Sequence, residues 1–222
     1  MTLLAVDTAT RALALALYDG HTVLAEQYWQ AGSQHNALLA PAAQQMMTAC
    51  GLAPADLSAV AVAQGPGSYM GLRIGMAFAK AVAAARGLPL IGVATLDILA
   101  AQHPISTRNR LLAVAQAGRG RIIAAQYHTR RGRWVIEKAP VTTDWATTLA
   151  AVEQPTLITG EVDAEGQQLI YQLGSDHITL VPAPQRVRRP AALAHEAWQR
   201  WQAGASADFA PGLLVPLYLQ TP

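Results

Sequence analysis

Two places in this chain combine residue types that can do chemistry at a useful spacing. Asp7 and Thr8 end the apolar run of LLAVDT, while Gly65, Gly67 and Ser68 close a second run in AVAVAQGPGS, ahead of a helix-like stretch. A carboxylate and a hydroxyl at a strand end can hold a metal-bound phosphate. Glycines before a helix let backbone N–H groups converge on an anion. The loop nevertheless lacks the Lys-Ser/Thr pair of G-x-x-x-x-G-K-[ST], and Gly65-Pro66-Gly67 does not fit G-x-G-x-x-G. Phosphate cleavage there is not expected. Asp7, Thr8, Gly65, Gly67 and Ser68 stand as candidates for nucleotide contact, against the plainer roles of a turn-holding Asp7 and a helix-capping Ser68.

No other grouping offers more. Paired histidines four residues apart on a helix bind zinc or iron, but the residue four beyond His35 is Leu39, so His35 reads as a cap or surface residue. His21, His103, His128, His177 and His195 show no ligand spacing either. GPGSYMG is not the G-x-S-x-G elbow of a serine nucleophile, and Cys50 falls at the end of a helical segment. Neither a catalytic residue nor a metal set is expected.

These residues sit in a duplicated framework. LLAVDTATRALALALYDGHTVLAEQYW, from Leu3, reads as three antiparallel strands with turn signals at Thr10-Arg11 and Asp19-Gly20. RLLAVAQAGRGRIIAAQYHTRRGRWVIEK, from Arg110, repeats that reading, with LLAV returning unchanged and Tyr127 standing for Tyr18. Downstream, LSAVAVAQGPG is echoed by PTLITGEVDAEG, then LPLIGV by ITLVPA, with TLDILAAQ and AALAHEAWQRWQ as closing helices. Two copies of strand-strand-strand-helix-strand-helix-strand-helix predict an α/β protein with a mixed five-stranded sheet in each lobe. That order is the half-unit of the actin-like ATPase and sugar-kinase (ribonuclease H-like) fold. Proline and polar residues in HPISTRNR put the boundary between lobes 1–104 and 105–222. Cleavage in that fold uses both lobes, but the position matching Asp7 is Ala115, followed by Gln116, and neither is an anionic metal ligand.

Hydrophobic residues make up 52% of the 222 and charged residues only 14%, a balance that argues against disorder and leaves apolar surface for a partner. The net charge of +2 does not announce a nucleic-acid binder, although Arg119, Arg121, Arg130, Arg131 and Arg133 crowd together in sequence, as do Arg186, Arg188 and Arg189. A lone Cys50, no secretory pattern after Met1 and no membrane-spanning run give a cytoplasmic expectation. Two helices frame the remaining question. Gly71, Gly75, Ala79 and Ala83 recur every fourth residue and make a smooth stripe, whose glycines cost the helix about 1 kcal/mol each relative to alanine. Close packing must offset that cost, against the sheet or against a partner. Gln34 to Cys50, stopped by Gly51, carries Leu38, Leu39, Ala42 and Met46 at helical spacing.

VDTAT, the helix from His35, QGPGSYMGLRIG, the strand-turn-strand at Gln116 to Tyr127 and the ending PLYLQ together resemble the TsaB (YeaZ) family over nearly the whole length. The resemblance implies a non-catalytic scaffold in tRNA threonylcarbamoyladenosine formation. Such a subunit pairs with the catalytic TsaD through first-lobe helices, is joined by the ATPase TsaE, and forms a homodimer when alone. It implies no cofactor on this chain, with ATP and metal held by the partners, and contact with tRNA through the complex, direct or not. On this sequence the implied interface is His35, Leu38, Leu39, Ala42, Met46, Gly71, Leu72, Gly75, Ala79 and Ala83. Met70, Gln116, Gly118 and Arg121 depart from the family pattern, which puts a role of the second-lobe turn in tRNA or nucleotide binding in doubt. An actin-fold ATPase or small-molecule kinase using Asp7, Thr8 and the Gly65 loop is the competing enzyme reading, and a metallopeptidase would need a metal.

Overall fold

A computed structural model describes residues 1–204 and 206–219; Gln220, which ends the PLYLQ signature, and the rest of the proposed second lobe beyond Leu219 lie outside the described residues. The chain divides into two compact units, Met1–Ile98 with Arg189–Tyr218, and Leu99–Arg188 with Leu219.

In the first unit β1 (Thr2–Asp7), β2 (Ala12–Tyr18), β3 (Val23–Gln30), β4 (Leu57–Gly65) and β5 (Leu90–Ala94) form one sheet in the order β3-β2-β1-β4-β5. β1 pairs antiparallel with β2 and parallel with β4, so the sheet is mixed as expected. Every residue of β1 and β2 is buried, which is why both read as unbroken apolar runs: each face of the sheet is covered. Leu4, Val6, Leu13, Leu15 and Leu17 meet α1 (His35–Ala49) through Leu39, Ala43 and Met46. Val60 and Val62 meet α2 (Tyr69–Arg86) through Met76, Ala79 and Ala83. α2 starts at Ser68, whose hydroxyl accepts from the Gly71 N–H, and stops at Gly87 with φ 62°.

The opposite face, lined by Ala5, Ala16, Ala59 and Ala61, is covered by Leu193, Ala194 and Ala197 of the late helix Pro190–Ala203. That helix was expected to close the second lobe, so the 105–222 boundary is corrected here. The reason is fit. A sheet face of alanines admits a helix at close range, and Arg189 ties its start to Glu26 through Nε at 2.8 and 3.0 Å, with the Ala191 N–H adding 3.2 Å. Burial works against ionisation of Glu26, but Arg189 and that N–H outweigh it and hold the carboxyl below its usual range. Arg200 adds bonds to the Gly92 carbonyl at 3.0 Å and to Asp97 at 3.4 Å.

The second unit repeats the order. β6 (Arg110–Gly118), β7 (Arg121–Arg130), β8 (Arg133–Thr143), β9 (Thr156–Gly160) and β10 (Ile178–Leu180) run β10-β9-β6-β7-β8, again with antiparallel and parallel pairs. Its two hairpins turn on Arg119-Gly120 and Arg131-Gly132, with φ of 55° and 71°, then 51° and 73°, the both-positive pattern of a type I′ turn. Trp145, at the start of the short helix Trp145–Ala150, is 1% exposed and anchors the core with Leu112, Val114 and Ile158. His103 is buried, its Nε2 lying 2.7 Å from Thr159 Oγ1, and burial pushes its imidazole below the usual value.

Candidate functional site

The residues that pointed to a nucleotide come together in the first unit, and the chain itself fills the space between them. Asp7 is 1% exposed and accepts from the Ala9 N–H at 2.9 Å, a turn-holding bond across the β1–β2 connection. Thr8 is equally buried and donates its hydroxyl to the Gly71 carbonyl at 2.7 Å. The Ser68 N–H, which a phosphate would need, donates instead to the Ala9 carbonyl at 2.6 Å. Beyond the loop, the C-terminal tail closes over Gly65: the Leu217 N–H bonds the Gln64 carbonyl at 2.8 Å, and Gln64 Nε2 bonds the Val215 carbonyl at 2.8 Å.

This arrangement explains the glycines. A side chain on Gly67 would collide with the Ala9 carbonyl, one on Gly71 with the Thr8 carbonyl, and one on Gly75 with the Thr8 hydroxyl. The motif lets the Asp7–Thr10 turn lie directly on the first turns of α2, backbone to backbone. An anion would have to displace that turn.

The second unit reaches a similar result by other means. Gln116, at the Thr8 position, accepts no ligand role: its N–H bonds Glu161 Oε2 at 2.9 Å, and its Nε2 bonds the Glu161 carbonyl at 3.0 Å and Asp163 Oδ2 at 3.1 Å. Asp163 caps the helix Ala164–Leu173 by accepting from the Gly166 N–H at 2.9 Å, and takes the Trp145 indole N–H at 2.9 Å. Glu161 and Asp163 are thus both committed to partners inside the second unit. Among the described residues no cluster of three His, Cys, Asp or Glu side chains is placed to hold a metal.

The sequence-predicted interface fares differently from residue to residue. His35, Leu39, Met46, Gly71, Leu72, Gly75, Ala79 and Ala83 are all buried within the unit. His35 is neither cap nor surface residue, since its ring contacts the Ala12 carbonyl at 3.1 Å. These eight are corrected to core: apolar spacing on a helix marks the face that meets the sheet before it marks any face that meets a partner. Leu38, at 37% exposure, remains outward, while the half-buried Ala42 packs on the edge of the core and is corrected with the eight. The outward side of α2 is carried by Arg73, Ala77, Ala81 and Ala84, whereas Ile74, Phe78 and Val82 are half-buried against the core beneath α1. The helical spacing of Ala77, Ala81 and Ala84 was the signal available for that side. Between the two helices lies a hollow of about 560 Å³ lined by Met47, Leu52, Pro54, Phe78 and Val82 among others.

The arginine clusters dissolve in three dimensions. Arg119 and Arg121 sit at one end of β7 and Arg130, Arg131 and Arg133 at the other, ten residues or about 30 Å apart. Arg188 is buried with Glu161 at 3.6 Å, and Arg189 is spent on Glu26. A grouping the sequence did not reveal lies at the first turn of α2. Tyr69, Arg73 and Tyr218 stack there, with Arg73 donating to the Tyr69 hydroxyl at 2.9 Å.

Comparison with known proteins adds the following. The family model described as TsaD, tRNA N6-adenosine threonylcarbamoyltransferase, matches residues 29–161. The tRNA threonylcarbamoyladenosine biosynthesis protein TsaB of Bacillus subtilis is 32% identical over 197 residues, 87% of this chain and 86% of that one. In structure the chain is similar to YeaZ from Pseudomonas aeruginosa, with a TM-score of 0.74, 23% identity and coverage of 98% and 99% of the two chains. It is also similar to the activator of the 2-hydroxyisocaproyl-CoA dehydratase from Clostridium difficile, with a TM-score of 0.56 at 10% identity, covering 91% and 96%. The last two likenesses establish the fold, the duplicated actin-like arrangement.

Proposed function

Because the chain belongs to the TsaB (YeaZ) family, we propose that it serves tRNA threonylcarbamoyladenosine biosynthesis as a non-catalytic subunit that docks on a TsaD transferase. The observation that supports the non-catalytic part is the packing of the glycine loop, where Thr8 donates to the Gly71 carbonyl and the Ala9 carbonyl takes the Ser68 N–H. ATP and metal then belong to the partner proteins, TsaD and TsaE, and this chain carries neither. Docking uses the outward strip of Leu38 on α1 with Ala77, Ala81 and Ala84 on α2, and the hollow between the helices, edged by Phe78 and Val82, receives apolar side chains of the partner. The same strip pairs two copies when TsaD is absent. The setting is the cytoplasm, where tRNA is modified; no helix among the described residues is long and apolar enough to cross a membrane.

The test is light scattering behind size-exclusion chromatography, with this chain alone and mixed with TsaD of the same organism. A heteromeric peak replacing the free species is the expected result. Absence of any complex in the presence of nucleotide and TsaE overturns the docking reading. ATP turnover by the isolated chain that disappears in Asp7→Ala overturns the non-catalytic one.

A further inference from the structure

We propose that the Tyr69–Arg73–Tyr218 stack is a direct contact for unpaired RNA bases, and that it, not either arginine cluster, is where this chain touches tRNA. The inference rests on the proposed role in tRNA modification. Tyr69 and Tyr218 are 56% and 46% exposed with ring centroids 5.1 Å apart, and Met70 beside them is 62% exposed. The Arg73 guanidinium lies 5.2 Å from the Tyr69 ring centroid while bonding that ring's hydroxyl, so both side chains are held in one geometry before any ligand arrives. The second ring is fixed from the other direction. Tyr218 follows Leu217, whose N–H is anchored on Gln64.

Held aromatic rings with an adjoining guanidinium are what single-stranded RNA uses: a splayed base stacks at the open end of the pile, and the cation meets the neighbouring phosphate. The charge is complementary, because α2 contains no acidic residue. The carboxylate of Asp7, under the same loop, is buried and turned to the Ala9 N–H.

The experiment is fluorescence anisotropy of a labelled anticodon stem-loop RNA with the full chain, across a salt series. Light scattering with TsaD is run on the same preparations. The native chain is expected to bind with an affinity that falls as salt rises. Tyr218→Ala weakens binding roughly five- to 150-fold, the effect of losing one base stack. Tyr218→Phe retains binding, because the ring does the stacking, and Arg73→Gln weakens binding and flattens the salt dependence. Unchanged far-ultraviolet circular dichroism of Tyr218→Ala separates this from misfolding, and if that variant is misfolded, Arg73→Gln decides. No binding by the native chain, or equal binding by Tyr218→Ala and Arg73→Gln, overturns the proposal even when TsaD still associates. Loss of TsaD association in Tyr218→Ala or Arg73→Gln with RNA binding as in the native chain assigns the patch to a protein and overturns it too. RNA binding by the native chain that the two variants weaken, with no TsaD association by any of them, leaves the patch standing and removes the docking reading instead.

Discussion

Replacing Gly75 with alanine puts the central packing claim at risk. The added methyl would overlap the Thr8 hydroxyl while lying an ordinary 3.5 Å from Thr8 Cβ. Thr8 must then rotate and give up its 2.7 Å bond to the Gly71 carbonyl, or α2 must retreat from the turn. Overpacking of this kind costs roughly 1–3 kcal/mol. A lost buried hydrogen bond adds about 1 kcal/mol, and the helix gains about 1 kcal/mol when alanine replaces glycine. The expected net destabilisation is about 2 kcal/mol. In a Thr8→Ala background the obstructing oxygen is gone, and the same Gly75→Ala change keeps only its helical gain, stabilising by up to about 1 kcal/mol. The double-mutant cycle therefore couples the two positions by about 3 kcal/mol. Urea unfolding followed by circular dichroism gives all four corners. Equal costs of Gly75→Ala in both backgrounds would refute the argument that the glycine exists to admit Thr8.

Three further outcomes follow from the same structure. The Glu26 carboxyl is held below its usual pKa, so its bond to Arg189 stabilises fully above about pH 4.3, the unfolded value, and is lost as pH falls through the folded one. Glu26→Gln should cost on the order of 1–2 kcal/mol at pH 7, discounted for the exposure of Arg189, and should flatten the acid side of a denaturation profile; an unchanged acid limb counts against it. His103 has a depressed pKa from burial, so its contribution is present above about pH 6.5 and declines as pH falls below that. Its ring C–H resonances in an NMR titration should shift at a pH below that value, and a titration at 6.5 would show the imidazole to be solvated. Ala81→Asp, on the exposed side of α2, should leave stability within about 0.5 kcal/mol yet weaken association with TsaD at least about tenfold, read by titration calorimetry; equal affinity would move the docking strip elsewhere.

The duplicated sheets were legible because central strands buried on both faces leave long apolar runs, and because LLAV recurs in the same register: Leu3 pairs with Tyr18, and Leu111 with Tyr127. The departure of Gly65 to Ser68 from the known phosphate-loop patterns was equally legible. What filled the loop was not, since contacts between Thr8 and Gly71 join residues 63 positions apart and leave no local trace. The same blindness misplaced the helix Pro190–Ala203: its pattern says that Leu193, Ala194 and Ala197 are buried, but not against which sheet. Gly71, Gly75, Ala79 and Ala83 form the close-packing face the sequence describes, and only the position of β4 and the Asp7–Thr10 turn decides that this face points inward. Arginines adjacent in sequence scattered because a strand between two turns carries its ends apart.

The discontinuity of the first unit has a consequence for synthesis. Ribosomes deliver β1 to β5 first, but the helix that covers Ala5, Ala16, Ala59 and Ala61 emerges only with residues 190–203. At usual elongation rates of 5–20 residues per second, the stretch from Ile98 to Ala203 takes roughly 5–20 s, during which a finished sheet has one naked apolar face. All five strands of the second unit lie between Arg110 and Leu180, so its sheet is complete before the helix Pro190–Ala203 is made. The order of maturation on the ribosome is thus inverted, later half before earlier, and nascent chains halted between the two units are substrates for chaperones.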